Sequence, residues 1–190
     1  DNIYHNSEDI YLHSVNVCTY SILIALKMKI PKKEIIEIAV GALLHDIGYN
    51  YVDAELINHN INKHNEKAIK ESRKHVVYGY SEVQNEKWLS NLSKDIILLH
   101  HEREDGSGYP FKRKGNTIPL GCKIVAVCNE FDNRINGKNG EAEKVYLAIE
   151  NIVAQTNTGF CYKVVETFKN TISAYPNGTL VLDNYGDVSV

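Results

Sequence analysis

The sequence predicts an all-α domain with a small β appendage at its C-terminal end. Three observations carry this expectation. Apolar residues recur at three- and four-residue intervals through successive segments from Ile10 to Ile172, the spacing of one face of a helix. The stretch from Glu102 to Pro119 contains Gly106, Gly108, Pro110 and Gly115. That composition forbids regular structure and predicts a long loop, and such loops in compact domains are usually functional. After Pro176, two short runs, Thr179–Leu182 and Val188–Val190, flank Asn184–Gly186 as the arms of a hairpin would.

Each helix has its own signature. Ser7 or Asp9 can cap a first helix running towards Met28, with Ile10, Val17, Ile24 and Met28 near one face. Pro31 suits the first turn of a second helix, whose stripe Ile35, Ile38, Ala39 and Ala42 leads into Leu43, Leu44 and His45 before Gly48 ends it. Residues 50 to 65 are rich in asparagine and read as a loop. Helices follow at about Glu66–Arg73 and Tyr78–Asn85. Leu89, Leu92, Ile96 and Leu99 mark a further helix that ends at His100 and His101. Lys123–Arg134, Glu143–Ala154 and Tyr162–Ser173 complete the set.

The chain has 190 residues, 43% of them hydrophobic and 24% charged, which is ordinary for one globular domain with a sizeable core. A net charge of −3 gives no bulk basicity, so neither DNA nor a membrane surface is an expected partner. The apolar runs, Ile22–Leu26 among the longest, are far short of the roughly 20 residues of a membrane span, and no signal-peptide pattern opens the chain. Cys18, Cys122, Cys128 and Cys161 are scattered without CxxC spacing, so a reducing, cytoplasmic setting is expected. The chain opens at Asp1 without methionine and closes at Val190 inside an expected strand. Residues 1–190 are therefore expected to be a single domain excised from something longer.

The sharpest chemical signal is His45–Asp46. On its own the pair could be a solvated helix end, but Leu43, Leu44 and Ile47 surround it, so at least one of the two should face inward. A buried carboxylate beside a buried imidazole needs a partner charge, and a metal cation is the economical one. His100–His101 continue the stripe of Leu92, Ile96 and Leu99. His13 lies on the core face of its helix, and His75 sits at a helix junction before Val76 and Val77. His5, His59 and His64 lie in polar or terminal surroundings and read as surface residues. Five inward histidines and one aspartate exceed the four ligands of a structural zinc. They suit Fe, Mn, Zn or Co better than Ca or Mg, in a two-metal site able to polarise a phosphodiester and activate water.

His13, His45-Asp46, His75 and His100-His101, followed by Glu102-Arg103-Glu104-Asp105-Gly106-Ser107-Gly108-Tyr109-Pro110, resemble the HD-GYP family. These are bacterial cyclic-di-GMP phosphodiesterases within the HD superfamily of metal-dependent phosphohydrolases. The resemblance runs from His13-Ser14-Val15-Asn16-Val17 through Leu43-Leu44-His45-Asp46-Ile47-Gly48 to Tyr175-Pro176-Asn177-Gly178-Thr179. It implies an HD-domain helical bundle holding two, in some members three, divalent transition metals, commonly iron or manganese. His13, His45 and Asp46 would serve one metal, with Asp46 bridging to a second held by His75, His100 and His101. Asp9 lies where some members place an acidic ligand for a third. The implied reaction is attack of a metal-bridging hydroxide that opens cyclic-di-GMP to pGpG and then GMP. Arg103, Asp105, Gly106, Gly108, Tyr109 and Pro110 would form the loop that meets substrate, and a diguanylate cyclase or another signalling domain as partner. The resemblance also implies that a multidomain signalling protein is the larger context, and it leaves a homodimer open.

Three positions depart from that pattern. Asn129 stands where the family has a metal-binding aspartate; an amide oxygen can coordinate but brings no charge, and Asp132 one turn on could replace it only in a rotated helix. Tyr49 stands where the motif carries a lysine near the substrate phosphate. Lys138, in Asn136-Gly137-Lys138-Asn139-Gly140, takes the position of a phosphate-binding arginine as a point charge instead of a fork. The reading these residues favour is a metal-dependent cyclic-di-GMP phosphodiesterase, with activity reduced by Asn129 and Tyr49. Two rivals stand beside it: a degenerate HD-GYP module that senses a nucleotide or binds protein, and an HD phosphohydrolase for another nucleotide.

Overall fold

The computed structural model describes residues 2–53, 65–137, 141–173, 181–182 and 188–189. Among them the chain forms helices α1 (Asn2–Lys27), α2 (Lys32–Leu44), α3 (Glu66–Ser72), α4 (His75–Val83), α5 (Asn91–Leu99), α6 (Leu120–Ile135), α7 (Val145–Ala154) and α8 (Tyr162–Lys169). Short 3-10 turns occupy Ile47–Tyr51 and Gly115–Thr117. Strands β1 (Val181–Leu182) and β2 (Val188–Ser189) pair antiparallel, which is the expected hairpin. Its tip and flanks lie outside the described residues, as do Lys138, His59 and His64.

The helices appear where periodicity placed them, with shifted ends. α1 begins at Asn2, upstream of the two expected caps. α4 begins at His75, three residues earlier than the apolar pattern suggested. α5 is capped by Ser90, whose hydroxyl accepts from the Ser93 amide, a polar start that an apolar stripe does not show. α6 begins at Leu120, directly after Pro119. Gly48 does not simply end α2, because the chain continues into the 3-10 turn after Asp46. A Cβ at Gly48 would overlap the His75 carbonyl oxygen, so glycine here lets α4 lie directly against the turn that follows His45–Asp46.

The main core is built from Val17 and Ile24 of α1, Ile38 and Ala42 of α2, Ile96 and Leu99 of α5, Ile124 to Cys128 and Phe131 of α6, and Ile152 and Phe168 of α7 and α8. α1 packs on α2 and α6, and α2 on α5. The apolar stretch Ile10–Lys27 of α1 has the length and composition of a membrane span, although only a third of it is buried. Counting consecutive apolar residues missed this, because polar residues interrupt the run. In the fold it is the helix that carries His13 into the core.

Candidate metal centre

Six side chains meet where α1, α2, α4 and α5 converge. His13, His45, Asp46, His75 and His100 are buried, and His101 is half-buried. Their ligand atoms form two groups that share Asp46: His13, His45 and Asp46, and Asp46, His75, His100 and His101. Asp46 Oδ1 lies 3.4 Å from His45 Nε2, 3.5 Å from His75 Nε2 and 3.6 Å from His100 Nε2. Its Oδ2 is 3.6 Å from His13 Nε2. One carboxylate thus faces both halves.

The other edge of each ring explains the arrangement. Nδ1 of His45 donates to the Ala42 carbonyl at 2.7 Å, and Nδ1 of His75 to that of Ser72 at 2.8 Å. Nδ1 of His100 sits 3.1 Å from the carbonyls of Ile96 and Ile97. Those acceptors are carbonyls in the last turns of helices, where backbone partners run short; the Ile96 carbonyl also takes the His100 amide. Nδ1 of His13 meets Asp132 Oδ2 at 2.6 Å. With Nδ1 of these four histidines a donor, each ring in its neutral form turns a lone pair on Nε2 inward. Yet His45 and His13 Nε2 are 3.3 Å apart, and so are His75 and His100 Nε2. Lone pairs facing each other beside a buried carboxylate repel unless a cation lies between them. The donor set therefore fits divalent metal ions.

His101 stands at the edge. Burial, with the neighbouring His100 and His75 adding to it, holds its pKa well below the usual histidine value, so the ring is neutral and able to ligate. Two tyrosines wall this half: Tyr49 stacks on His75 at 4.1 Å and 9°, and Tyr109 on His101 at 4.5 Å and 17°. Burial pushes the Tyr109 hydroxyl well above its usual pKa, leaving it a donor. Arg73 lies over the other part of this wall, its guanidinium carbon 5.1 Å from the centre of the Tyr109 ring.

The loop between α5 and α6 is held from within. Buried Glu102 accepts from the Phe111 amide at 2.7 Å and the Arg113 amide at 2.9 Å. The backbone at Gly108 passes so close to His101 and Arg103 that a Cβ would overlap both. Asp105 accepts from the Ser107 amide, Gly106 turns at φ +81°, and Tyr109–Pro110 is cis. The Arg103 guanidinium is engaged by the Glu102 carbonyl at 3.1 Å, the His100 carbonyl at 3.4 Å, Glu130 at 3.7 Å and the Phe160 ring at 4.9 Å. Asn129 is buried on α6, and its Oδ1 already accepts from Asn133 Nδ2 at 2.8 Å.

The sequence reading missed three contributors. Asp132 does not stand in for Asn129; it holds His13, and its place one turn later on α6 was the available signal. Glu102 pins the loop, although in sequence it is one member of an acidic run. Arg73, on a polar helix end, carried no signal.

An HD-domain family model matches residues 4–159. Over 97% of its length the chain is 32% identical to a cyclic di-GMP phosphodiesterase of Pseudomonas aeruginosa, of which it covers 44%. The chain belongs to the HD-GYP family of HD domains. Another relative, a cyclic di-GMP phosphodiesterase of Thermotoga maritima, is 32% identical over 82% of the chain and is covered to 43%. The chain thus spans less than half of these relatives. An HDG"Y"P protein from Bdellovibrio bacteriovorus superposes with a TM-score of 0.73 at 23% identity, over 85% of this chain and 51% of that one, which shows the shared HD-GYP fold.

Proposed function

We propose that this HD-GYP domain is a metal-dependent phosphodiesterase that opens cyclic-di-GMP to pGpG and carries it on to GMP in the cytoplasm. The observation that carries the reading is the convergence of four histidine Nε2 atoms on the two oxygens of buried Asp46. Its relatives' names support the substrate class.

In this reading His13, His45 and Asp46 hold one ion and Asp46, His75, His100 and His101 another, with iron or manganese as the ions. Ions held there supply Lewis-acid polarisation of a phosphodiester and activation of water. The protein's own part is preorganisation. Carbonyl and carboxylate partners on Nδ1 fix the tautomer and aim of the His13, His45, His75 and His100 rings, and Asp46 supplies negative charge to both halves. Tyr49 and Tyr109 brace His75 and His101 by stacking on them. The pinned loop from Arg103 to Pro110 closes one side. Asn129 is the weakest member of the set, since its acceptor oxygen is already engaged by Asn133.

The test is product analysis after reconstitution with Mn²⁺, or with Fe²⁺ under anaerobic conditions, offering cyclic-di-GMP, 3′3′-cGAMP and cyclic-di-AMP in parallel. The reading expects linear product fastest from cyclic-di-GMP, and none from Asp46→Ala. Cleavage of another dinucleotide alone moves the substrate assignment. Metal-loaded protein that cleaves none of the three contradicts the enzyme reading and supports a sensing or docking module.

A further inference from the structure

A cyclic dinucleotide carries two phosphodiesters, and a compact two-ion centre engages one of them. The other needs a cation of its own. Arg103 does not meet that need, being turned to Glu130, two backbone carbonyls and the Phe160 ring. Tyr49, one of the two wall tyrosines, has no charge. Arg73 does have one. It caps the C-terminal end of α3, two residues before His75, and its side chain is exposed. It makes no ion pair with a carboxylate among the described residues.

Its guanidinium lies on Tyr109, whose ring stacks on His101 and stands 6.4 Å from that of His75. The cation is therefore one ring away from the centre. A cation–π contact uses no N–H donor, and a guanidinium offers a planar fork of N–H groups that matches two phosphate oxygens. The backbone around it is fixed on both sides, by the α3 cap and by the start of α4.

We propose that Arg73 is a substrate-binding residue, which grips the phosphate not engaged at the histidine cluster and so selects cyclic dinucleotides over simple phosphodiesters. The inference rests on the phosphodiesterase reading above. Arg73→Ala and Arg73→Lys are compared with wild type on two substrates after Mn²⁺ loading. One is cyclic-di-GMP; the other is bis(p-nitrophenyl) phosphate, which has a single phosphate.

The expected result for Arg73→Ala is about a tenfold rise in KM for cyclic-di-GMP, the scale of one charge-assisted hydrogen bond, with kcat within about twofold. The calorimetric Kd for a phosphorothioate analogue of cyclic-di-GMP should weaken in parallel. Metal content and turnover of bis(p-nitrophenyl) phosphate should not move. Arg73→Lys should recover part of the loss, since it keeps the charge without the fork. An unchanged KM for cyclic-di-GMP overturns the inference and leaves the phosphodiesterase reading standing. An equal loss on both substrates also overturns it, because Arg73 then acts through the packing of Tyr109. Wild-type protein that neither binds the analogue nor cleaves cyclic-di-GMP overturns both.

Discussion

At the scale of single residues, the centre depends on hydrogen bonds made on the far side of each ring. Asp132 is the clearest case, because it holds the His13 Nδ1 with a carboxylate, whereas backbone carbonyls take Nδ1 of His45, His75 and His100. Asp132→Asn keeps an acceptor but removes the charge that makes His13 a better donor of its lone pair. Loss of such a partner typically weakens metal binding about 10- to 100-fold. Competition for Mn²⁺ against a chelator of known affinity should show about a tenfold loss, with the far-ultraviolet circular dichroism unchanged. Asn129 makes the opposite prediction. Asn129→Asp adds a carboxylate one helical turn before Asp132 on α6, at the position proposed as a ligand, so Mn²⁺ affinity should rise at least severalfold in the same competition. No change would mean that the Asn133 contact holds position 129 away from the ions.

At the scale of elements, two close approaches shape the site. The turn after His45–Asp46 meets α4 at Gly48, and the loop after His101 folds back at Gly108. Gly48→Ala forces the turn and α4 apart, since the new methyl group would overlap the His75 carbonyl oxygen. Overpacking of this kind costs about 1–3 kcal/mol, so the urea midpoint should fall. The same displacement moves His75 away from His100, so metal affinity should fall too. A variant as stable as wild type, with equal metal affinity, would show that the turn and α4 can separate without disturbing the cluster. The elements also show why the sequence was so legible here. Helical periodicity and the glycine- and proline-rich loop are local signals, and both appear in the structure where expected, except that the loop contains the short 3-10 turn Gly115–Thr117. Helix ends were less legible, because α4 starts at His75 on tertiary packing against Gly48 and not on an apolar stripe of its own.

At the scale of the whole molecule, the histidines and Asp46 were readable because each sits on or next to an apolar face, and the family motif groups them. What the sequence could not supply were contacts between distant elements: Asp132 lies 119 positions from His13, and Arg73, at the end of α3, reaches Tyr109 in the loop after α5. The cluster also ties metal binding to stability, because it joins α1, α2, α4 and α5. Ligand at 100 times its Kd adds about 2.7 kcal/mol, and a domain of this size shifts by about 2–4 °C per kcal/mol. Mn²⁺ at that excess should therefore raise the melting temperature of chelator-treated protein by about 5–10 °C. An equal rise in Asp46→Ala would mean that the ions bind elsewhere.

The central claim is that the cluster around Asp46 holds the ions that hydrolyse a cyclic dinucleotide. The most direct measurement is metal content per chain by mass spectrometry, taken on the same samples of wild type and Asp46→Ala whose cyclic-di-GMP turnover is followed. The account predicts about two ions per wild-type chain with pGpG and GMP appearing, and loss of both ions and product in the variant. Wild-type protein that holds its ions and releases no product, or a variant that keeps both, would contradict it.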